Sequence, residues 1–327
     1  MAVATVTVDG VELEQFRREL TGYCYRMLGS GMEAEDAVQE TFVRAWRSSE
    51  QFEGRSSVRS WVFRIATNIC IDMHRAPQRR ARPMDLGPSS PPDEAHLGDA
   101  LPEVTWLTPV PDRQVLRDSS DPADVAEQRS SIRLAFVAAL QHLPARQRAA
   151  LVLCDVLQWP AAEAASLLET TTAAVNSSLQ RARATLSTQT ITRRPELLDP
   201  DDAALVARYA AAFERYDMVE LASLLRDDAI MSMPPFAMWL RGPQDITTWM
   251  VQPGPSECAG SVMLPTWANG CPAFGQYRPH PDGGWAPWGL QVLDLRDGRI
   301  ASIDVFLALL EPDRLFASFG LPPRLDP

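Results

Sequence analysis

The chain has 327 residues with 31 Arg, no Lys and 42 acidic side chains, a formal net charge of -11. That length exceeds what one hydrophobic core holds and implies several domains. The charge excludes a uniformly basic nucleic-acid binder, yet it divides unevenly: residues 1–82 hold 12 Arg and 11 acids, 83–125 hold 2 and 9, 126–194 hold 8 and 4, and 195–327 hold 9 and 18.

From Glu33 to Arg47, Ala34, Val38, Thr41, Phe42 and Ala45 recur at helical spacing and predict a helix with one buried face. Asp36, Gln39, Glu40 and Val43 share the far face, an acidic, amide-bearing strip that reads as a docking surface or as an ordinary solvated face. From Val58 to Arg75 a second stripe follows, made of Val58, Trp61, Val62, Ile65, Ala66, Ile69 and Met73, with Ser60, Arg64, Thr67, Asn68 and Arg75 outside it. Arg55, Arg59, Arg64, Arg75, Arg79, Arg80 and Arg82 crowd this region with Asp72 as its one acid, a positive field suited to phosphate. Phe52, Trp61 and Phe63 lie among these cations. Basic surfaces interleaved with aromatics hold single nucleic-acid strands, because phosphates need cations and unstacked bases need flat apolar partners. The place of Trp61 in the stripe favours a core role for that residue.

The run Ala34 to Trp46, followed by Phe52-Glu-Gly-Arg-Ser-Ser-Val-Arg-Ser-Trp-Val-Phe-Arg-Ile-Ala-Thr-Asn-Ile-Cys-Ile-Asp72, resembles region 2 of extracytoplasmic-function (ECF) sigma factors of the sigma-70 family. The resemblance implies a first helix that docks on bacterial core RNA polymerase, whose beta-prime and beta subunits become expected partners, through Asp36, Gln39, Glu40 and Val43. It also implies a second helix that opens the minus 10 promoter element and captures a flipped base, with Arg59, Arg64, Thr67, Asn68, Ile69 and Arg75 as the DNA-binding set. Extruding a base is unfavourable, and stacking with edge hydrogen bonds must offset it; an Asn amide carries both donor and acceptor.

Residues 83–125 are rich in acid and in Pro, at 83, 88, 91, 92, 102, 109, 111 and 122, and cannot bury enough to fold alone. Leu101-Pro-Glu-Val-Thr-Trp-Leu-Thr-Pro-Val-Pro-Asp112 interrupts them as an aromatic and aliphatic island. Two readings stay open: a connector that threads through polymerase by mimicking nucleic-acid charge, as the resemblance implies, or an island docked on the chain's own C-terminal domain.

Ile132, Phe136, Ala139, Leu140 and Leu143 predict a helix ended by Pro144, and a second runs through Arg146 to Leu157. Pro160 then opens a short helix, a turn falls at Glu169 to Thr171, and Val175, Leu179, Ala182 and Leu186 form the inner edge of a last helix. Its outer edge offers short polar side chains and Arg, which fit a major groove by size and hydrogen-bond capacity. Leu167 to Arg183 is similar to region 4 of the same family, which reads the minus 35 element, and this implies Thr172, Asn176, Ser177, Gln180, Arg181 and Arg183 as the binding set. Glu169 departs from the pattern, since the family often places Gly in that turn.

Beyond Asp199, Leu205, Tyr209, Ala212 and Phe213 predict a helix and Met218 to Leu225 a second, followed by strands at Ala229–Met233, Ser261–Trp267, Ala273–Tyr277, Gly289–Leu295 and Ile300–Leu307 with Asp297-Gly298 as a hairpin turn. Ala211-Ala-Phe-Glu-Arg-Tyr-Asp217, Arg241-Gly-Pro243 and Asp297-Gly-Arg-Ile-Ala301 resemble the SnoaL-like branch of the nuclear transport factor 2 superfamily, which implies an α+β cone. Trp239, Trp249, Trp267, Trp285 and Trp288 serve either as core and docking surface or as the lining of a small-molecule site.

The expected fold is multidomain: two all-α sigma domains, helical region 2 and helix-turn-helix region 4, plus a C-terminal α+β cone-shaped SnoaL-like domain. The expected boundaries are 1–82 for region 2, 83–125 for an acidic Pro-rich linker, 126–194 for region 4 and 195–327 for a regulatory domain. The function implied is a promoter-specificity subunit, not an enzyme, modulated by its own C-terminal domain. Two alternatives are a SnoaL-type cyclase or isomerase fused to a DNA-targeting module, for which no acid and base pair is evident, and a stand-alone helix-turn-helix regulator. No catalytic residue, cofactor or metal site is expected: the five Cys and four His have no ligand spacing, and the Cys fit buried reduced thiols. With no signal peptide or spanning segment in view, a cytoplasmic location without membrane attachment is expected.

Overall fold

The computed structural model describes residues 7–8, 10–54, 56–73, 80–92, 97–187, 200–253, 255–308 and 312–327. The chain divides into two compact units, residues 1–80 with 112–195, and residues 81–111 with 196–327.

In the first unit a two-stranded hairpin, β1 (Thr7–Val8) and β2 (Val11–Glu12), precedes α1 (Arg17–Leu28), α2 (Gly31–Arg47) and α3 (Val58–Met73). Gly29 ends α1 with a left-handed φ of 73°, and the Ser30 hydroxyl caps α2 by accepting from Glu33 N–H at 3.3 Å. That two-residue connection makes α1 and α2 neighbours, and Leu20, Tyr23, Cys24, Val38, Val62, Phe63 and Cys70 close a core between α1, α2 and α3. Then come α4 (Asp112–Val115), α5 (Pro122–Ser130), α6 (Leu134–Gln141), α7 (Ala145–Leu151) running into a π-helical turn at Val152–Val156, α8 (Ala161–Leu167) and α9 (Thr172–Ser187).

Buried arginines join these two helical groups. Arg148, fully buried, donates to Met27 O, to Gln141 Oε1 at 2.7 Å and to Leu143 O at 3.1 Å. Arg26 donates to Gly22 O at 2.6 Å, Ser131 O at 3.2 Å and Ser131 Oγ at 2.6 Å, and burial pulls its pKa down to about 10. α4 lies against α1 at Gly22, where a Cβ would stand 3.0 Å from Val115 O, so residues 112–125 belong with the helical unit.

The turn after α8 forms without glycine. Glu169 takes a φ of 52°, Thr170 N–H reaches Ala165 O at 2.9 Å and Glu169 N–H reaches Ser166 O at 3.4 Å, the hydrogen-bond pattern of a left-handed helix cap.

The second unit contains α10 (Pro200–Glu214), α11 (Met218–Leu224), β3 (Leu225–Ser232), β4 (Trp239–Arg241), α12 (Pro243–Met250), β5 (Val262–Ala268), β6 (Cys271–Pro279), β7 (Trp285–Arg296), β8 (Arg299–Leu307) and α13 (Pro312–Ser318). Its sheet runs β4-β3-β8-β7-β6-β5, with β3 and β8 parallel and the other pairs antiparallel. Asn269-Gly270 and Asp297-Gly298, all at positive φ, close the β5–β6 and β7–β8 hairpins as two-residue turns. Helix residues Leu205, Tyr209, Phe213, Ile246 and Trp249 pack on sheet residues Met231, Phe274, Leu293, Ile303 and Val305. This is the α+β arrangement expected, with β4, α12 and α13 added to it.

Residues 81–111 fold onto this unit. Trp239 Nε1 donates to Gly87 O at 2.9 Å, Ser90 N–H to Trp239 O at 2.9 Å and Leu101 N–H to Pro235 O at 2.9 Å. At the far end Val110 N–H donates to Asn269 Oδ1, and Asn269 N–H donates to Val110 O, each at 3.1 Å. Trp106 is 2% exposed. Of the two readings of the island, docking on the C-terminal domain is the one observed, because the sheet edges satisfy backbone groups that the segment cannot satisfy itself.

Candidate nucleic-acid interface

On α2, Asp36, Gln39 and Val43 are exposed and Glu40 is half-buried, holding Arg44 in an i,i+4 ion pair at 2.7 Å. The face also carries Trp46, 63% exposed, one turn beyond Val43. An acidic strip with a bare indole at its end has the anchor and polar rim of a protein interface. Sequence reasoning left Trp46 out of the docking set, although its spacing from Gln39 and Val43 was the available signal.

On α3 the expected set separates. Asn68 is exposed, while Arg64 is half-buried with no hydrogen-bond partner for Nε among the described residues. Thr67 lies inside, 2% exposed, donating to Phe63 O at 2.7 Å and accepting from Tyr23 Oη at 2.8 Å. Ile69 is 3% exposed. Neither faces a DNA strand in this arrangement, contrary to the expectation, because the polar hydroxyl of Thr67 finds buried partners and Ile69 continues the apolar stripe. Arg59 donates from Nε to Glu19 Oε2 at 3.0 Å and stacks 4.3 Å from the Trp159 ring centroid. Arg80 pairs with Glu33 at 2.6 Å. Arg55, Arg75 and Arg79 lie outside the described residues.

The start of α3 is covered from within the unit. Ser60 Oγ donates to Glu163 Oε1 at 2.6 Å, and Phe63 packs on Trp159 with ring centroids 5.0 Å apart. The expected region 4 therefore sits on the expected region 2 across α8 and the turn before it.

On α9, Thr171 Oγ1 caps the helix by accepting from Ala174 N–H at 3.1 Å. Thr172, Asn176 and Gln180 are exposed along one face, with Ser177 accepting from Arg181 Nη1 at 2.8 Å beside them. Arg183 is turned to Asp155, donating from Nε at 2.9 Å and Nη2 at 2.6 Å, and that hydrogen-bonded carboxylate raises its pKa.

In the second unit the five tryptophans do not converge. Trp249 is core, Trp239 binds Gly87 O, Trp285 Nε1 donates to Gly260 O at 2.9 Å, Trp288 lies under Arg278 at 4.1 Å, and Trp267 is exposed. Among the described residues, no three His, Cys, Asp or Glu are grouped to hold a metal, and no helix is long and apolar enough to cross a membrane.

The Sigma-70 region 2 family matches residues 13–80, and the Sigma-70, region 4 family matches residues 133–186. ECF RNA polymerase sigma factor SigG of Mycobacterium tuberculosis is 45% identical over 316 residues, 95% of this chain and 83% of its own length. SigJ of the same organism is 31% identical over 223 residues, 66% of this chain and 62% of its own. The crystal structure of that SigJ matches the fold with a TM-score of 0.57 over 94% of this chain and 98% of the other, at 24% identity. With both helical regions and nearly the whole length accounted for, the chain belongs to the ECF RNA polymerase sigma factors, transcription initiation factors that bind core polymerase and promoter DNA and are not enzymes.

Proposed function

We propose that this sigma factor docks on core polymerase through Asp36, Gln39, Glu40 and Val43. Asn68 captures the minus 10 element with Arg59, Arg64 and Arg75 around it, while Thr67 and Ile69 hold α3 from inside. Thr172, Asn176, Ser177, Gln180, Arg181 and Arg183 read the minus 35 element. The C-terminal unit governs this activity from within the chain, and the site of action is the cytoplasm, where polymerase works.

One observation carries the proposed control: the segment that covalently joins regions 2 and 4 is hydrogen-bonded to C-terminal residues Trp239, Pro235 and Asn269. Whatever holds or frees that segment acts on both promoter-reading regions at once. A small molecule bound by the C-terminal unit would act only through a difference in affinity between the held and freed states, and it would have to displace packed side chains such as Met231 and Trp249.

The test is transcription in vitro with purified bacterial core polymerase and a set of promoter fragments, comparing residues 1–327 with a chain ended at 194. Initiation at defined start sites with unequal yields supports the reading. Equal yields remove the control, and silence from both forms removes the promoter assignment.

A further inference from the structure

The connector between regions 2 and 4 is stored as a closed loop. Ala81 N–H donates to Thr105 O at 2.8 Å and Leu107 N–H donates to Ala81 O at 3.2 Å, so Ala81 pairs with Trp106 as two parallel strands would. The loop base is buried, with Trp106 and Leu107 each 2% exposed. Immediately beyond it, Pro111 pairs with Ala268 at the edge of the sheet, so the outgoing chain is pinned as well.

This pairing changes the length of the tether. Region 2 ends at Arg80 and region 4 begins at Arg133, leaving 52 residues, 81–132, between them. Closing the loop withdraws the 24 residues from Arg82 to Thr105 and leaves 28 to span any gap. At about 3.4 Å per residue, 28 residues reach about 95 Å when pulled straight with every helix undone, and 52 reach about 175 Å. Promoter elements centred near minus 10 and minus 35 lie about 85 Å apart at ~3.4 Å per base pair. The open tether covers that distance at about half extension, whereas the closed one must unfold α4 and α5 and become nearly taut, which chain entropy opposes.

We propose that the Ala81–Trp106 pairing is a tether-length switch: closed, it leaves a tether that spans both promoter elements only when α4 and α5 unfold and the chain is nearly taut, and opening it lets one molecule engage both elements with slack to spare. The switch rests on the proposed control by the C-terminal unit, since that unit holds the paired segment; the truncation at 194 tests the control, and a reversible cross-link tests the switch.

The experiment uses the full chain carrying Ala81→Cys and Trp106→Cys, a pair whose spacing across a bridge suits a disulfide. Of the native cysteines Cys24, Cys70, Cys258 and Cys271 are buried and Cys154 is half-buried. Initiation is measured with core polymerase on promoters whose element spacing is stepped shorter and longer. The oxidised form is expected to initiate at least tenfold less than the reduced form at the natural spacing and to recover on reduction, with its deficit growing as the spacing lengthens. Equal initiation by oxidised and reduced forms across the series overturns the switch. Hydrogen exchange of the unmutated chain gives a second reading: the Ala81 and Leu107 amides are expected to be protected in the free protein and to exchange in the promoter complex, and protection that persists in that complex also overturns it.

Discussion

The Ser60 hydroxyl donates to Glu163 Oε1 at 2.6 Å, tying the first turn of α3 to the first turn of α8. The carboxylate lies next to Arg59, which is itself paired with Glu19. On the proposed minus 10 assignment, a promoter strand at the start of α3 would meet these acids, and their charge would oppose its phosphates. Glu163→Ala removes the charge and frees Ser60, and the full chain should bind a single-stranded minus 10 oligonucleotide about fivefold more tightly, about 1 kcal/mol. Glu163→Gln keeps an acceptor for Ser60 and should fall between. Anisotropy titrations that give one affinity for all three forms would show that α8 does not screen α3.

Gln39→Ala with Glu40→Ala should weaken binding to core polymerase while leaving the fold intact. The pair of Glu40 with Arg44 is a half-exposed i,i+4 contact at 2.7 Å, and such pairs contribute about 0.3–0.5 kcal/mol. Trp46→Ala should weaken docking further, about 2 kcal/mol, because the indole is bare in the free chain and has most to gain from burial against a partner. Unchanged polymerase affinity in both variants, with unchanged melting, would take the docking face off α2.

Asn68 and Thr67 are adjacent on α3 but should fail in different ways. Asn68→Ala removes an exposed amide and should slow opening of the minus 10 element, read by permanganate reactivity, more than it lowers duplex binding. Thr67→Val orphans the buried Tyr23 hydroxyl and should cost about 1–3 kcal/mol of stability in urea. Matched losses of opening and duplex binding in Asn68→Ala would mean that this side chain supports structure instead of reading a base.

These two residues also mark where sequence pattern stops being informative. Periodicity put Thr67 outside the apolar stripe of α3, and a hydroxyl there reads as solvent-facing until Tyr23, 44 residues away, is known to reach it. The stripes of α2 and α3 were legible because each repeats over four turns. The hairpin at Asp297-Gly298 was legible from its dipeptide, and Asn269-Gly270 carried the same signal unused. β4 spans only Trp239–Arg241, too short for alternation to show. α12 had Gly242-Pro243 at its start and Ile246, Trp249 and Met250 at helical spacing, a readable signal passed over. The island around Trp106 stood out by composition, but the surface that receives its segment is assembled from the β3–β4 connection at Pro235, from β4 and from the β5–β6 turn, which no local pattern brings together.

The turn of the helix-turn-helix offers a test of backbone conformation separate from contacts. Glu169 holds a φ of 52°, where a Cβ crowds the backbone and glycine is at ease, yet Thr170 N–H to Ala165 O at 2.9 Å completes the cap regardless. The fold therefore imposes the geometry, and the side chain costs about 1 kcal/mol relative to glycine. Glu169→Gly should relieve that strain and also remove an acid beside α9, so the helical unit should melt higher while the duplex affinity of the full chain rises most at low salt. Glycine also gains freedom in the unfolded chain, which trims the benefit. Glu169→Ala separates the two effects: it removes the charge and keeps the strained backbone, so it should share the gain in affinity and none of the gain in melting temperature. A Glu169→Gly chain that melts no higher than Glu169→Ala would mean that the left-handed conformation carries no strain here.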